Sequence, residues 1–271
     1  MDTAAKGSSA PRSDRGGYDM DAALSAAAER LSAAGRWKSE RHANKSDWCT
    51  WQVLAHLAAV AEGYTEYARG RRTPIADVSN LPTESLRMIE GVGKAEPAAL
   101  ASRVQMAVHA FNKAAGGLQD GDLFFWHGME IPVRAAKGIL LGELLVHGLD
   151  MARAHGEAWP ISAADAIAVI EGVMAVAPAF VTPAANGLTA TIRLKLRNGP
   201  RWLLRFDDGG LRVEADAKCP VDWTISADPV AFLLLSYGRD SQFRHVAAGR
   251  VAAWGRRPRV GLRFDTYIAK P

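Results

Sequence analysis

Thr189-Ala190-Thr191-Ile192-Arg193-Leu194-Lys195-Leu196-Arg197-Asn198-Gly199 is the stretch at which the chain changes its period. Thr189, Thr191, Arg193, Lys195 and Arg197 alternate with Ala190, Ile192, Leu194 and Leu196, so one face is apolar and the other polar. Strict alternation marks a half-buried strand, and Asn198-Gly199 behind it is a strong hairpin turn. The chain downstream keeps this character. Trp202–Phe206 reads as the returning strand, Asp207-Asp208-Gly209-Gly210 as the next turn, Leu211–Ala215 as a third strand and Val221–Ile225 as a fourth. Pro229–Ser236 reads as a short apolar helix, and Val251–Trp254 and Val260–Phe264 alternate weakly again. A small antiparallel sheet with a few helices, an α+β unit, is expected here.

Upstream the period is helical. Met20, Leu24, Ala27 and Leu31 recur on one face, with Gly35 as a stop. A second helix is expected over Cys49–Arg69, with Val53, His56, Leu57, Val60 and Tyr64 on one face and Gly70 and Pro74 ending it. A looser segment follows. A third helix covers Pro97–Ala115 before Gly116-Gly117, and a fourth covers Val133–His155 before Gly156 and Pro160. Four such helices with moderate connections suit an antiparallel four-helix bundle. A fifth, Ala163–Ala177, leads into the sheet half. The first 17 residues, rich in Gly, Ser, Pro and charge, are expected to form a disordered tail. The division is therefore 1–17 tail, 18–158 helical bundle and 159–271 α+β domain.

The 271 residues carry a net charge of +4, with 48% hydrophobic and 23% charged residues, the composition of a soluble globular protein. The two cysteines, Cys49 and Cys219, exclude a disulfide framework and a Cys-rich zinc site, and they fit a reducing cytoplasm. The N-terminus lacks the apolar run of a signal peptide. Residues 163–181 are apolar but carry Asp165, Glu171 and Pro178, so they are expected to form a buried helix rather than a membrane span. Charge is uneven: residues 1–180 hold 18 Lys+Arg against 21 Asp+Glu, and residues 181–271 hold 15 against 8. The arginines of the basic half alternate with strand residues and form no continuous stripe, so no nucleic-acid partner is expected. An anionic small molecule between the halves accounts for the asymmetry equally well.

Of the seven histidines, only His147 has a carboxylate or second imidazole four residues away, at Glu143. That spacing stacks both groups on one helix face, which alone suits a helix-surface contact as readily as a ligand pair. His56 alone reads as a hydrogen-bonded core histidine. Together they read differently. His56 shares the inward face of its helix with Val53, Leu57 and Val60, and Glu143 and His147 share theirs with Leu140, Leu144 and Met151. Three ionisable groups facing one core are costly to bury unpaired, and a divalent metal removes that cost. Two imidazoles and a carboxylate also form a catalytic zinc set with an open fourth position.

The segment Trp48-Cys49-Thr50-Trp51-Gln52-Val53-Leu54-Ala55-His56-Leu57 resembles the W-T-x-x-D-V-L-A-H-L signature of mycothiol-dependent maleylpyruvate isomerases, members of the DinB-like metal-binding bundles. Glu143-Leu144-Leu145-Val146-His147-Gly148-Leu149-Asp150 resembles the E-x-x-x-H-x-x-D helix of that family, and Leu188–Phe264 is similar to the sterol-carrier-like (SCP2-like) domain that often follows the bundle. The resemblance implies that His56, Glu143 and His147 bind Zn2+ and that mycothiol is the co-substrate. It also implies an arginine from the second domain reaching over the metal to hold a substrate carboxylate. Arg239 is the choice here, with Arg244, Arg250 and Arg256 nearby. Cys49 departs from the Thr or Ser that caps this helix in the family; Asp47 or Thr50 is expected to take over the cap.

Asp150, three residues after His147, is read either as a group that orients an imidazole or shuttles a proton, or as the partner of Arg134 or Arg153. Trp126 and His127, in the Phe125–Glu130 loop, are read as lining the pocket mouth or as packing on the bundle end. Three functions are weighed. The first is a thiol-dependent isomerase or S-transferase acting on a small anionic electrophile, as a cytoplasmic monomer or homodimer with no membrane partner. The second is a carrier of lipid or another small ligand, with a structural metal. The third, nucleic-acid binding, would show as steep salt dependence. Three protein ligands leave a metal unsaturated, which favours the enzyme.

Overall fold

A computed structural model describes residues 17–72 and 80–270, so the expected tail up to residue 16 and Pro74 lie outside the described residues. Helix α1 (Met20–Arg30) starts at Asp19, whose carboxylate accepts from the N–H groups of Asp21 and Ala22, and it runs into a 3-10 stretch, Leu31–Arg36. Helices α2 (Thr50–Ala68), α4 (Pro97–Ala115) and α5 (Val133–Ala154) complete a ring in which α1 and α2 each pack on both α4 and α5. Leu24, Leu54, Leu57, Phe111, Leu140 and Leu144 fill its centre.

The looser segment holds a helix of its own, α3 (Leu81–Val92), lying on α2. Ile89 is its one fully buried residue, and Leu81 and Val92 pack partly buried on the core beside it, a short apolar stripe at helical spacing that reading the segment as looser misses. Residues 123–132 form a hairpin rather than a loop: β1 (Leu123–Trp126) pairs antiparallel with β2 (Met129–Pro132). His127 and Gly128 turn it with φ of 44° and 84°, the left-handed pair of a type I′ turn. A histidine stands where Asn or Asp usually announces such a turn.

Helix α6 (Ala163–Val176) joins the halves, packing on α5 and on α7 (Pro229–Ser236). Its contact with α5 is backbone to backbone. A Cβ on Gly138 would lie 2.5 Å from the Ala168 carbonyl oxygen, and one on Gly172 would lie 2.7 Å from that of Ala135. The stretch Ala163–Phe180 is long and apolar enough to cross a membrane, but here Ala166, Val169, Ile170 and Gly172 are spent on this packing.

The sheet contains β3 (Ala190–Leu196), β4 (Arg201–Asp207), β5 (Gly210–Ala215), β6 (Trp223–Ala227) and β7 (Val251–Gly255), in the order β5-β4-β3-β6-β7. In β3 the side chains of Ala190, Ile192, Leu194 and Leu196 are buried, as their alternation requires. The sheet is antiparallel except where β6 runs parallel to β3. Hairpin turns set β3–β4–β5, whereas residues 216–222 carry no tight-turn signal and take the chain across to the far side of β3. Short helices α8 (Gln242–Ala247), α9 (Pro258–Leu262) and α10 (Phe264–Tyr267) finish the chain. The weak alternation at 260–264 is thus helical, because Pro258 pre-sets the first turn of α9.

Candidate metal centre

Helix α2 starts where the register of His56 requires, although neither Asp47 nor Thr50 caps it. Cys49 is the N-cap residue; the Gln52 side-chain oxygen accepts from its N–H at 2.9 Å, the reciprocal arm of a capping box. The Thr50 hydroxyl donates instead to the Arg41 carbonyl. The ring of Trp48, just before the cap, lies 4.9 Å from that of His56 and 6.0 Å from that of His147, stacked on the latter.

Nε2 of His56 and Nε2 of His147 each stand 3.3 Å from Oε2 of Glu143. One ligand atom from each of the three residues falls within 4.8 Å of the others. Burial pushes the His56 imidazole below its ordinary pKa, against the opposing pull of Glu143. For Glu143 burial acts upward, but the hydrogen bonds to His147 and His56 hold the carboxyl well below the usual carboxylate range. An ionised carboxylate therefore faces a neutral His56 and a second imidazole. The two Nδ1 atoms are buried without partners among the described residues, so Glu143 is the polar partner of both rings, and Trp48 packs against them. Two nitrogen donors and one anionic oxygen converging from two helices fit a divalent ion, with a coordination position left open.

One turn beyond His147, Asp150 is fully buried and holds Arg239: Nε and Nη2 of Arg239 donate to Oδ2 at 2.9 and 2.8 Å. The Arg239 Nη1 donates to the Tyr237 carbonyl, and Arg153 donates to that of Arg239. Arg134 pairs with Asp120 and Glu171 instead. Burial raises the Asp150 pKa and Arg239 opposes the rise without cancelling it. The arginine chosen from the second half is thus tied directly to the helix that carries Glu143 and His147.

Trp126 is buried, and its indole N–H donates to the Tyr64 hydroxyl at 2.6 Å. His127 at the hairpin tip stands edge-on to Trp126, with ring centres 4.6 Å apart. Burial pushes its pKa down to about 4, opposed in part by the charges of Glu143 and Glu84. A base whose folded pKa lies below its unfolded value of about 6.5 stabilises the fold above that value, and the contribution is lost as pH falls toward 4. His127→Asn keeps a side chain that tolerates the left-handed turn and removes the titration. Its Tm should therefore fall less than that of the parent between pH 6.5 and 4; an unchanged slope would place the titration elsewhere. Tyr64 and Tyr237 are neighbours of the centre that motif reading passes over, whereas Trp48 opens the quoted signature without a role being read for it. Tyr64 has a signal in the sequence, since it shares the apolar face of its helix with His56.

Residues 179–253 match the SCP-2 sterol transfer family. The chain is similar in structure to the mycothiol-dependent maleylpyruvate isomerase, with a TM-score of 0.50 and 14% identity over 82% of this chain and 89% of that one. A substituted form of that isomerase aligns with a TM-score of 0.51 and 14% identity over 86% and 91%. No curated protein sequence matches the chain. At such identity the likeness is one of fold: a helical N-terminal half followed by an SCP2 segment with a mostly antiparallel sheet.

Proposed function

We propose that this protein is a metal-dependent enzyme that uses mycothiol to isomerise or S-conjugate a small electrophile bearing a carboxylate. The observation that carries the reading is the convergence of His56, Glu143 and His147 ligand atoms within 4.8 Å. The shared fold with an enzyme named for mycothiol supports the choice of thiol. A divalent ion at these three residues, zinc in this reading, supplies a Lewis acid that brings a thiol pKa toward neutrality. Trp126 and neutral His127 wall the thiol side. Arg239 spends three of its five N–H donors on Asp150 and the Tyr237 carbonyl, which leaves two for a substrate carboxylate. Asp150 fixes the guanidinium so that the fork is already oriented when the anion arrives. The units 18–158 and 159–271 thus share one site, in a cytoplasmic monomer or homodimer.

Thiol binding should be linked to metal. Titrating the zinc-loaded protein with mycothiol near neutral pH should release about one proton per site, and the metal-free protein should release none. Equal binding and proton release in both forms would overturn the thiol role.

An apolar cavity of about 240 Å³ in the second half, lined in part by Met174, Trp223, Ile225, Phe232 and Leu235, supports the carrier as a second reading. It falls below the roughly 300–1,000 Å³ of ordinary ligand pockets, so only a short apolar chain would fit. A lipid extracted from the purified protein, together with no affinity for thiol, would favour this reading.

A further inference from the structure

Tyr237 ends α7, and its side chain projects from the second half onto the helix that bears the metal ligands. Its hydroxyl packs on Gly142, the residue before Glu143; a Cβ on Gly142 would lie 2.8 Å from that oxygen and 2.8 Å from Cγ1 of Val169. A side chain at position 142 would displace the phenol. Tyr237 is only 5% exposed, yet its hydroxyl has no hydrogen-bond partner among the described residues. Through its carbonyl the same residue also accepts from Arg239, so the hydroxyl and the guanidinium come from one short, braced segment.

We propose that Tyr237 is a catalytic residue whose hydroxyl donates a hydrogen bond to the carbonyl oxygen of the electrophile held by Arg239. This rests on the enzyme reading above. In the step it serves, the thiolate sulfur bonds to the carbon β to the carbonyl, and the C=C electron pair moves onto the carbonyl oxygen as an enolate. Tyr237 holds that oxyanion and keeps its own proton. After rotation about the former double bond the pair returns, the S–C bond breaks and the thiolate is released, with no net proton change. Persistence of the adduct requires one proton from water at carbon. Burial raises the phenol pKa, so it stays a donor throughout the neutral range. Oriented donors placed where charge develops act in this way in many enzymes.

The test uses zinc-loaded full-length protein and 2,4-dioxopentanoate, which carries a carboxylate beside an enolisable carbonyl. Calorimetry should show the probe binding about three- to tenfold more weakly to Tyr237→Phe, the worth of a neutral hydrogen bond. Gly142→Ala should reproduce the loss although the hydroxyl is still present. Metal content, Tm and mycothiol-linked proton release should match the parent in Tyr237→Phe. Equal affinity in parent and Tyr237→Phe would overturn the proposal, as would a loss accompanied by lost metal. Proton release without any binding of the probe by the parent would overturn the proposal and leave the thiol site standing. Absence of both would overturn the enzyme reading and the proposal with it.

Discussion

Purified protein should carry close to one divalent ion per chain, and His147→Ala or Glu143→Ala should carry none after dialysis. The expectation follows from the donor count. With three protein ligands the ion is already short of a full tetrahedral set, and removing one leaves only two. Even partners that merely orient a ligand cost about 10–100-fold in affinity when removed, so loss of a ligand itself should exceed that. Glu143→Ala should also leave the imidazoles of His56 and His147 without the single oxygen on which both now converge. The fold should survive, because Leu54, Leu57, Leu140 and Leu144 pack the same helices independently of the site. Acid should empty the site in the parent as well. Ligation needs neutral imidazoles and an ionised carboxylate, so protons compete with the ion for these donors. Metal analysis of dialysed variants checks this directly, and full occupancy in either alanine variant would refute the ligand set.

The parts of this arrangement that were legible in the sequence are those with a strong period or a fixed spacing. Ala190–Leu196 alternates cleanly because one face of β3 is buried, and Asn198-Gly199 fixes its return. Glu143 and His147 lie one helical turn apart, so helix geometry alone brings them together, and the apolar neighbours of His56 turn it toward them. The remainder depended on tertiary contact. α3 fully buries only Ile89, the hairpin at His127-Gly128 lacks the usual turn residue, and the parallel docking of β6 on β3 is decided by a connection without local signal. The link between Asp150 and Arg239 spans 89 positions of sequence, and no spacing rule reaches that far. Asp150 lies one turn beyond His147, yet its partner is neither an imidazole nor Arg134 or Arg153 but Arg239 from the other half of the chain.

Arg239→Ala should lower turnover roughly 30- to 150-fold, the equivalent of about 2–3 kcal/mol for a charged contact to a substrate carboxylate. Stability complicates this variant. Asp150 is fully buried, and removing the cation leaves its carboxylate unpaired, a change that typically costs about 3–5 kcal/mol in buried pairs. Arg239→Ala should therefore also lose Tm, and turnover alone would not separate a missing contact from a loosened junction. Two companions separate them. Arg239→Lys keeps a cation for Asp150 but lacks the two N–H donors that the guanidinium leaves for the substrate carboxylate, so Tm should recover more than turnover does. Arg239→Met combined with Asp150→Asn removes both charges together; Tm should then rise above that of Arg239→Ala, because no carboxylate is left stranded, while turnover stays low. Metal content should remain at the parent level in all of them, since the pair lies a turn away from the three ligands. Recovery of turnover in step with Tm across the series would make the ion pair a structural clamp and move substrate binding to another cation. Turnover that stays low in the double variant after Tm has recovered would place the guanidinium on the substrate.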